Sequence, residues 1–366
     1  MEKVDAAAAR SFWRDRKVLL TGHTGFKGAW LSLWLLEWGA RVCGFALPAE
    51  PDSLYRELRL HERLLHREGD VRDAPTLEAT VREFQPDIVI HMAAQSLVRA
   101  SYRDPLGTWS TNVLGTAHLL ASLQALAGRR CAVVVVTTDK VYENRETDVP
   151  YDEDDRLGGH DPYSASKAAC ELLASSWHRS FLQGSDTALV TARSGNVIGG
   201  GDRAADRLFP DLARAFAAGR ALSVRNPDST RPWQHVLDPL NGYLALAQQL
   251  YLTRIESGSC WNFGPAPTAA LTVRDVLGIA TRAWPGAVRF EADAQAPHEA
   301  GKLSLSTRKV RERLGWVPRW GIEESIRRTA LWYREHHAGR SAQSLCLADI
   351  AAFSSNSQDT RESGFP

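Results

Sequence analysis

One glycine-rich segment limits the folds open to this chain more than any other feature. Residues 17–21 form a short, mostly apolar run typical of a buried strand, and Gly22-His23-Thr24-Gly25-Phe26-Lys27-Gly28 follows at once. An amphipathic helical pattern then continues to residue 38 and stops at a glycine. A strand, a glycine turn and a helix in this order are typical of the dinucleotide-binding unit of a Rossmann-like sheet.

The three glycines of this turn have separate physical roles. Gly22 permits the tight turn, Gly25 lets the backbone approach a pyrophosphate, and Gly28 lets the helix pack closely on the strand. The free N–H groups of the helix N-terminus then face the anion. The residues of the turn predicted to bind the cofactor are Gly22, His23, Thr24, Gly25, Phe26, Lys27 and Gly28.

Two residues of the turn are unusual there. Lys27 can contact a phosphate or lie along the helix surface, and the sequence favours neither. We expect His23 to be a loop residue with a hydrogen-bonded ring and not a catalytic group. Lysine is rare in this chain, with seven copies against 37 arginines, so each lysine inside a motif is informative.

The order of apolar runs predicts an α/β fold, a Rossmann-like doubly wound parallel sheet with a smaller C-terminal α+β substrate lobe. Strands are expected at 41–45, 88–92, 132–137 and 188–192, with helices near 73–84, 104–126 and 161–183. Beyond residue 195, strands at 221–224, 260–263 and 288–291 mix with helices near 207–218, 238–252, 272–283 and 321–337. We therefore expect a catalytic dinucleotide-binding domain over 1–195, with a mobile lead-in over 1–14. An interleaved substrate lobe over 196–353 and a disordered tail over 354–366 complete the prediction.

Composition excludes several classes of protein. The 44 basic and 43 acidic residues leave a net charge of +1, so no overall field favours nucleic acid or an anionic membrane. No apolar run is long enough to span a bilayer. The five cysteines are odd in number and scattered, which predicts no metal site and indicates a reduced, cytoplasmic protein.

A tyrosine and a lysine form the first candidate catalytic pair. Tyr163 and Lys167 are four residues apart at the start of a helical pattern, so both side chains lie on one face. A nearby ammonium stabilises a phenolate and lowers the tyrosine pKa from its reference of about 10. The result is a base that can take a hydroxyl proton while hydride leaves the same carbon. The alternative is an ordinary surface pair of a helix.

Three polar residues follow the apolar strand at 133–136. Thr138, Asp139 and Lys140 come where that strand ends, and ligands in open α/β sheets bind at the carboxyl ends of strands. A hydroxyl, a carboxyl and an amine together predict substrate chemistry. The alternative for Asp139 is a turn cap.

The cofactor's adenine side is less clear from the sequence. The second strand is not followed directly by an acidic residue, so the choice between NAD and NADP cannot be made there. Asp70 is a candidate for the adenine side, and its alternative is a cap for the helix that follows.

Taken together, these residues resemble the extended short-chain dehydrogenase/reductase family. The resemblance is carried by the glycine turn, by His91-Met92-Ala93-Ala94, by a strand-end threonine and by Tyr-x-x-x-Lys. Within that family the chain is similar to the nucleotide-sugar 4,6-dehydratases that act on CDP-glucose, over about residues 12–353. The motifs that carry this similarity are the segments at 21–28, 138–142, 230–236, 314–316 and 345–346.

The resemblance implies an internal redox cycle with NAD and CDP-glucose. Carbon 4 is oxidised, water is lost from carbons 5 and 6, and carbon 6 is reduced, so a tightly held NAD is favoured over a dissociating NADPH. Tyr163, Thr138 and Lys167 would act at carbon 4. Asp139 would protonate the departing hydroxyl, and Lys140 would remove the carbon 5 proton or else only orient substrate. In the dehydratases for dTDP-glucose, glutamate stands at the position of Lys140.

The resemblance also implies the remaining contacts. The further cofactor contacts would be Asp70, Val71, Ala93, Ala94 and Gln95, together with Tyr163 and Lys167. The substrate contacts in the nucleotide-sugar lobe and beside it would be Ser96, Arg193, Asn196, Arg207, Arg231 and Trp233. A homodimer through the helices near 104–126 and 161–183 is also implied.

Other functions remain open at this point. A dehydratase for dTDP-glucose or GDP-mannose would use the same chemistry, because physics alone does not select the base. A 4-epimerase has no need for an elimination acid and base, so Asp139 and Lys140 argue against it. A non-enzymatic NAD-binding or RNA-associated protein is disfavoured by the intact catalytic residues and the lack of a basic run.

Overall fold

The computed structural model of the chain describes residues 6–266, 271–290 and 303–355. Its strands are β1 (Lys17–Thr21), β2 (Arg41–Ala46), β3 (Leu65–Glu68), β4 (Ile88–His91), β5 (Cys131–Val136), β6 (Thr187–Ser194), β7 (Val197–Ile198), β8 (Leu222–Val224), β9 (Gln234–His235), β10 (Cys260–Phe263) and β11 (Val288–Phe290).

Its α-helices are α1 (Ala6–Trp13), α2 (Phe26–Glu37), α3 (Leu54–Glu57), α4 (Ala74–Phe84), α5 (Val98–Arg103), α6 (Pro105–Trp109), α7 (Gly115–Ser122), α8 (Pro162–Trp177), α9 (Leu208–Ala217), α10 (Leu237–Tyr251), α11 (Val273–Ala283), α12 (Arg308–Leu314), α13 (Ile322–His337) and α14 (Ala342–Ser355). Shorter 3-10 and π turns lie at Leu60–Glu62, Ser110–Leu114, Leu123–Leu126, Asp139–Val141 and His178–Leu182. No helix of the described ranges is long and apolar enough to cross a membrane.

Seven parallel strands form the main sheet in the order β10-β6-β5-β4-β1-β2-β3. The direction of winding reverses between β1 and β4, which creates a crevice at the carboxyl ends of these two strands. This confirms the predicted α/β, doubly wound parallel sheet. Ligands bind such sheets at this reversal, and the glycine turn follows β1 there.

Helices cover both faces of the sheet because its strands alternate between two apolar layers. Leu19, Val89 and Val133 pack into the core beneath α4, α7 and α8. Their neighbours in sequence pack into the larger core on the opposite face, which also contains Trp30 of α2 and Tyr243 of α10. Strands buried on both faces are typical of parallel sheets.

Several elements differ from the sequence predictions. The expected mobile lead-in contains α1, which ends at the fully buried Trp13. Strand β3 was not predicted, since its residues are largely exposed and lack an apolar pattern. The run at 260–263 was expected in the smaller lobe, but β10 pairs with β6 in the main sheet, where three of its four residues are buried.

Two short strand pairs lie after residue 196. β8 pairs with β11, and β7 pairs with β9, both in parallel. Helices α9, α11 and α13 contact one another around them. The unpredicted α14 continues to Ser355, past the expected start of the tail at 354, and the remainder of that tail lies outside the described residues.

Candidate active site

A cleft of about 730 Å³ lies at the carboxyl ends of the central strands. Its walls are the glycine turn after β1, the segments after β4 and β5, the start of α8, and the loops on either side of β7 and β8. The two predicted halves of the function, cofactor turn and catalytic residues, therefore open into one cavity. Its size is typical of a site for small molecules and cofactors.

The glycine turn has no room for side chains at its two ends. Gly22 has φ +75°, and a Cβ there would lie 2.8 Å from the Ala93 nitrogen. A Cβ on Gly28 would lie 2.2 Å from the Gly22 carbonyl oxygen. Helix α2 begins at Phe26, so Gly28 lies in its first turn, and the helix presents its unpaired N–H groups to the cleft. This cradle fits the pyrophosphate of a dinucleotide.

His23 differs from the other residues of the turn, because its ring does not line the cleft. Its Nε2 is 2.8 Å from Nδ1 of His66, and its ring fills the space above Gly44, where a Cβ would lie 2.3 Å away. Burial lowers the pKa of His23 to about 3, so the ring is neutral. The His23 side chain therefore packs between the turn and strands β2 and β3, and it does not make the predicted contact with the cofactor.

Lys27 points neither along the helix surface nor into solvent. Its ammonium donates to the Ser194 hydroxyl at 3.1 Å, across the cleft at the end of β6, and lies 5.8 Å from the ring centre of Tyr243. Burial lowers the pKa of Lys27 to about 8, and the nearby Arg207 contributes to the lowering. The ammonium thus connects the cofactor turn to the substrate side of the cleft.

The Tyr163 and Lys167 side chains both line the cleft from the start of α8. The helix begins here because Asp161 caps it, accepting from the Ser164 N–H at 3.0 Å, and proline occupies the first helical position. The Lys167 ammonium donates to the Val136 carbonyl at 2.8 Å, so it is fixed to the end of β5.

The pKa of Tyr163 is shifted in the opposite direction to the lowering expected from the nearby Lys167. Burial raises the pKa of Tyr163 to about 12, and a hydrogen bond with the Thr138 side chain works in the opposite direction. Burial also lowers the pKa of Lys167. In the chain by itself the phenol therefore keeps its proton, and further positive charge in the cleft would be needed to form the phenolate.

Asp139 lies beside this pair and is only 2% exposed. It accepts from the Thr138 hydroxyl at 3.0 Å, and its other oxygen lies against Gly195, where a Cβ would be only 2.9 Å away. Burial raises the pKa of Asp139, which favours the protonated carboxyl. Lys140 lines both the main cleft and a small cavity that Asp139 also lines. The strand end thus presents an acid and an amine to the same space.

Asp70 and Val71, the candidates for the adenine side, line the cleft. Asp70 accepts from the Arg72 N–H at 2.9 Å and pairs with its guanidinium at 2.5 Å. The cap of α4 is Asp73, which accepts from the Thr76 N–H, so the alternative role of Asp70 as helix cap does not hold.

The segment after β4 is divided between the cleft and the interior. Ala93, Ala94 and Ser96 line the cleft. Gln95 does not, because its amide donates to the Thr108 hydroxyl at 2.9 Å and its carbonyl accepts from the Leu97 N–H at 2.7 Å. Its side chain therefore shapes the loop, in contrast to the predicted cofactor contact.

Most predicted substrate residues of the second lobe reach the cleft. Those that line it are Asn196, Arg207, Arg231 and Trp233. Arg193 does not, because its guanidinium is buried on the other side of β6, 2.9 Å from Glu171 and 2.8 Å from the Tyr142 hydroxyl. The prediction that Arg193 binds the nucleotide is corrected to a buried ion pair.

The sequence analysis missed an ion pair across the cleft. Arg99 of α5 lies 3.3 Å from Asp206, and both residues line the cleft from opposite sides. Asp206 has φ +60°, a conformation that aspartate tolerates better than most residues. Its place before α9 was a usable signal, but its partner is 107 residues away in sequence. The described residues contain no group of three or more His, Cys, Asp or Glu that could hold a metal.

Fold and site together define a class. A parallel doubly wound sheet, a glycine cradle after its first strand, and a Thr, Tyr and Lys set at the next strand ends describe a dinucleotide-dependent oxidoreductase of the extended short-chain type. The Asp139 and Lys140 pair adds groups that can donate and accept protons beyond the oxidation step.

Comparison with known proteins narrows this class. The model of the family described as GDP-mannose 4,6 dehydratase matches residues 19–329, and the chain belongs to that family. A CDP-glucose 4,6-dehydratase of Salmonella typhimurium is 46% identical over 89% of this chain and 92% of its own. A dTDP-glucose 4,6-dehydratase of Streptomyces griseus is 32% identical over 88% of this chain and 95% of its own. Among solved structures, a dTDP-glucose 4,6-dehydratase of Streptomyces venezuelae with NAD bound superposes with a TM-score of 0.76 at 27% identity, over 88% of this chain and 98% of its own.

Proposed function

We propose that the chain removes water from CDP-glucose to give CDP-4-dehydro-6-deoxyglucose, with NAD regenerated in each turnover. The observation that carries this function is that Lys140 lines the cleft together with Thr138, Tyr163 and Lys167, while Asp139 lies beside Lys140 in an adjoining small cavity. The choice of CDP-glucose is supported by the 46% identity to the Salmonella typhimurium enzyme.

NAD fits the cradle, since Gly22 and Gly28 let the turn pack against the segment after β4 and against the start of α2 more closely than any side chain would allow. When bound, NAD would supply the hydride acceptor for the oxidation of carbon 4 and the hydride donor for the reduction of carbon 6. The residues that would hold it line one side of the cleft and are Gly22, Thr24, Gly25, Phe26, Lys27, Gly28, Asp70, Val71, Ala93 and Ala94.

The chain's own residues handle the protons. Tyr163, hydrogen-bonded to Thr138, removes the proton of the carbon 4 hydroxyl as that carbon is oxidised. The ketone makes the proton on carbon 5 acidic, and Lys140 removes it. Asp139, whose pKa is raised by burial, delivers a proton to the carbon 6 hydroxyl, which leaves as water.

The substrate's diphosphate would bind in the second lobe. Arg207 and Arg231 line the cleft there, and a planar guanidinium matches phosphate oxygens. Asn196, Ser96 and Trp233 also line the cleft, and they would contact the diphosphate, the sugar and the base respectively. Arg207 is held by Asp202 at 2.8 Å, which leaves its fork oriented before substrate arrives.

A product assay tests this function. Purified protein with added NAD is offered CDP-glucose, dTDP-glucose, UDP-glucose and GDP-mannose separately, and the loss of one water is scored by mass. Water loss from CDP-glucose alone is the expected result. Water loss from another sugar nucleotide would support the proposed reaction but show a different substrate. Interconversion without water loss would identify an epimerase and contradict the roles proposed for Asp139 and Lys140.

The same proposal includes a homodimer. Apolar side chains stand exposed along the helical segment at 105–114, along α8 and in the turn His178–Leu182 that follows it, with Leu106 82% exposed. The others are Trp109, Leu114, Leu172 and Phe181. Exposed apolar patches of this kind mark protein contacts. A cytoplasmic location suits the five cysteines, all of which are free thiols.

A further inference from the structure

A buried ion pair lies between α8 and the ends of β5 and β6, behind the catalytic residues. The Glu171 carboxylate and the Arg193 guanidinium are 2.9 Å apart, and each side chain is 3% exposed. The same carboxylate oxygen accepts from the Thr191 hydroxyl at 2.6 Å, and the other oxygen accepts from the Thr137 hydroxyl. One side chain of α8 therefore ties two strand ends together.

The pair also reaches the segment that follows β5. Arg193 donates to the Tyr142 hydroxyl at 2.8 Å and to the Glu153 carbonyl at 3.1 Å. The Tyr142 hydroxyl in turn donates to the Asn262 side chain of β10 at 2.8 Å. Tyr142 directly follows the turn Asp139–Val141, so this turn is anchored at both of its ends: by Thr137 before it and Tyr142 after it.

We propose that Glu171 is a positioning residue for the proton-transfer groups, with Arg193 as its counter-ion. Glu171 follows Lys167 by four residues and Tyr163 by eight, so all three lie on one face of α8. Its bond to Thr137 fixes the residue next to Thr138. This buried contact acts together with the Lys167–Val136 hydrogen bond to set the distance between the strand-end groups and the helix groups. This inference rests on the function proposed above.

Glu171 also acts electrostatically on Lys167. Burial lowers the pKa of Lys167, while the Cys170 thiol and the Glu171 carboxylate on its own helix raise it. From the packed elements, His91 of β4 and Lys27 of α2 also face this ammonium. Removing the carboxylate's charge lowers the pKa of Lys167, so the ammonium is lost at lower pH than in the wild type.

The first variant is Glu171→Gln, which keeps the shape and removes the charge. We expect kcat for CDP-glucose to fall about tenfold or more, with KM changed by less than about threefold, because small misplacements near the reacting groups mainly lower the rate. We also expect the alkaline fall of kcat to move to lower pH. A purely structural role would lower stability and leave the pH profile in place.

A second variant addresses folding. Glu171→Gln leaves a buried guanidinium unpaired, which is strongly destabilising, whereas replacing both partners of a buried pair is often tolerated. The double variant Glu171→Gln with Arg193→Met is therefore measured in parallel and is expected to show the same kinetic change. Asp349→Asn is the matched control, because Asp349 pairs with Arg328 at 2.8 Å away from the cleft. It should change stability without changing the pH profile.

The outcomes separate the two proposals. Wild-type protein inactive on all four sugar nucleotides would overturn the proposed function. The positioning role would be overturned if the wild type is active and the double variant folds with an unchanged kcat and an unchanged alkaline fall of kcat. A shift of the alkaline limb in Asp349→Asn equal to that in Glu171→Gln would also overturn it, since the effect would then follow from loss of any buried pair.

Discussion

Replacing Gly28 by alanine should disable cofactor binding through a clash that the structure measures directly. The added Cβ would lie 2.2 Å from the Gly22 carbonyl oxygen and 2.6 Å from the His23 Cα, both backbone atoms that cannot rotate away. Ordinary contacts need about 3.5 Å, so the start of α2 must retreat by more than about 1 Å. Trp30 and Trp34 of the same helix are fully buried and oppose that movement.

Two effects follow for Gly28→Ala. Overpacking of this kind costs about 1–3 kcal/mol, which should lower the melting temperature by several degrees. The amide groups of the turn move out of register with the pyrophosphate, and a loss of about 1.4 kcal/mol or more corresponds to at least a tenfold weaker Kd for NAD. Calorimetric titration with NAD and thermal unfolding of the same sample measure both.

Gly25→Ala is the matched control for this reasoning. Its Cβ would meet only the Gly22 carbonyl oxygen, at 3.4 Å, and its φ of −77° is open to alanine. It should therefore unfold at the wild-type temperature, yet bind NAD more weakly, because the Cβ stands where the pyrophosphate approaches. Wild-type NAD affinity and wild-type stability in Gly28→Ala would refute the account of the cradle.

Three further predictions concern the elimination and the assembly. Lys140→Ala should oxidise CDP-glucose and accumulate NADH absorbance without losing water; undiminished water loss in a single turnover would exclude Lys140 as the base. Gly195→Ala places a Cβ 2.9 Å from the Asp139 carboxylate and should slow water loss more than carbon 4 oxidation, measured in the same experiment. Leu106→Glu should convert the proposed homodimer to a monomer in sedimentation, with unchanged thermal unfolding of the subunit as its control.

Local patterns were sufficient for the framework of the fold. The strand, glycine turn and helix at the start of the chain form from residues that are close in sequence. Their bounds could therefore be predicted from the local pattern alone. Strand β10 is different: its short, mostly apolar run indicates a strand but not its partner. Its pairing with β6 is a contact between segments about 70 residues apart, which no local pattern encodes.

Contacts between distant segments also explain why the side chains of two site residues were predicted wrongly. His23 is in a motif that binds cofactor, but its hydrogen-bond partner His66 is 43 residues away on β3, a strand that was not predicted. Gln95 is in a segment that lines the cleft, but its amide is taken by Thr108. A residue's presence in a binding motif thus predicts that its backbone is near the ligand, while its side chain follows non-local packing.

Arg193 is the instructive case, because strand periodicity could have placed it. Alternate residues of a strand face opposite sides, and Leu189 of β6 belongs to the core layer beneath α8. Counting by two from Leu189 puts Thr191 and Arg193 on that same side, where Glu171 of α8 binds both. Ser194, on the opposite side, receives the hydrogen bond from Lys27 in the cleft. Because alternate residues face opposite sides of the sheet, the position of a charged strand-end residue decides whether it faces the ligand or the helix behind the sheet. Arg193 faces that helix, and its position there assigns it to the support of the catalytic residues.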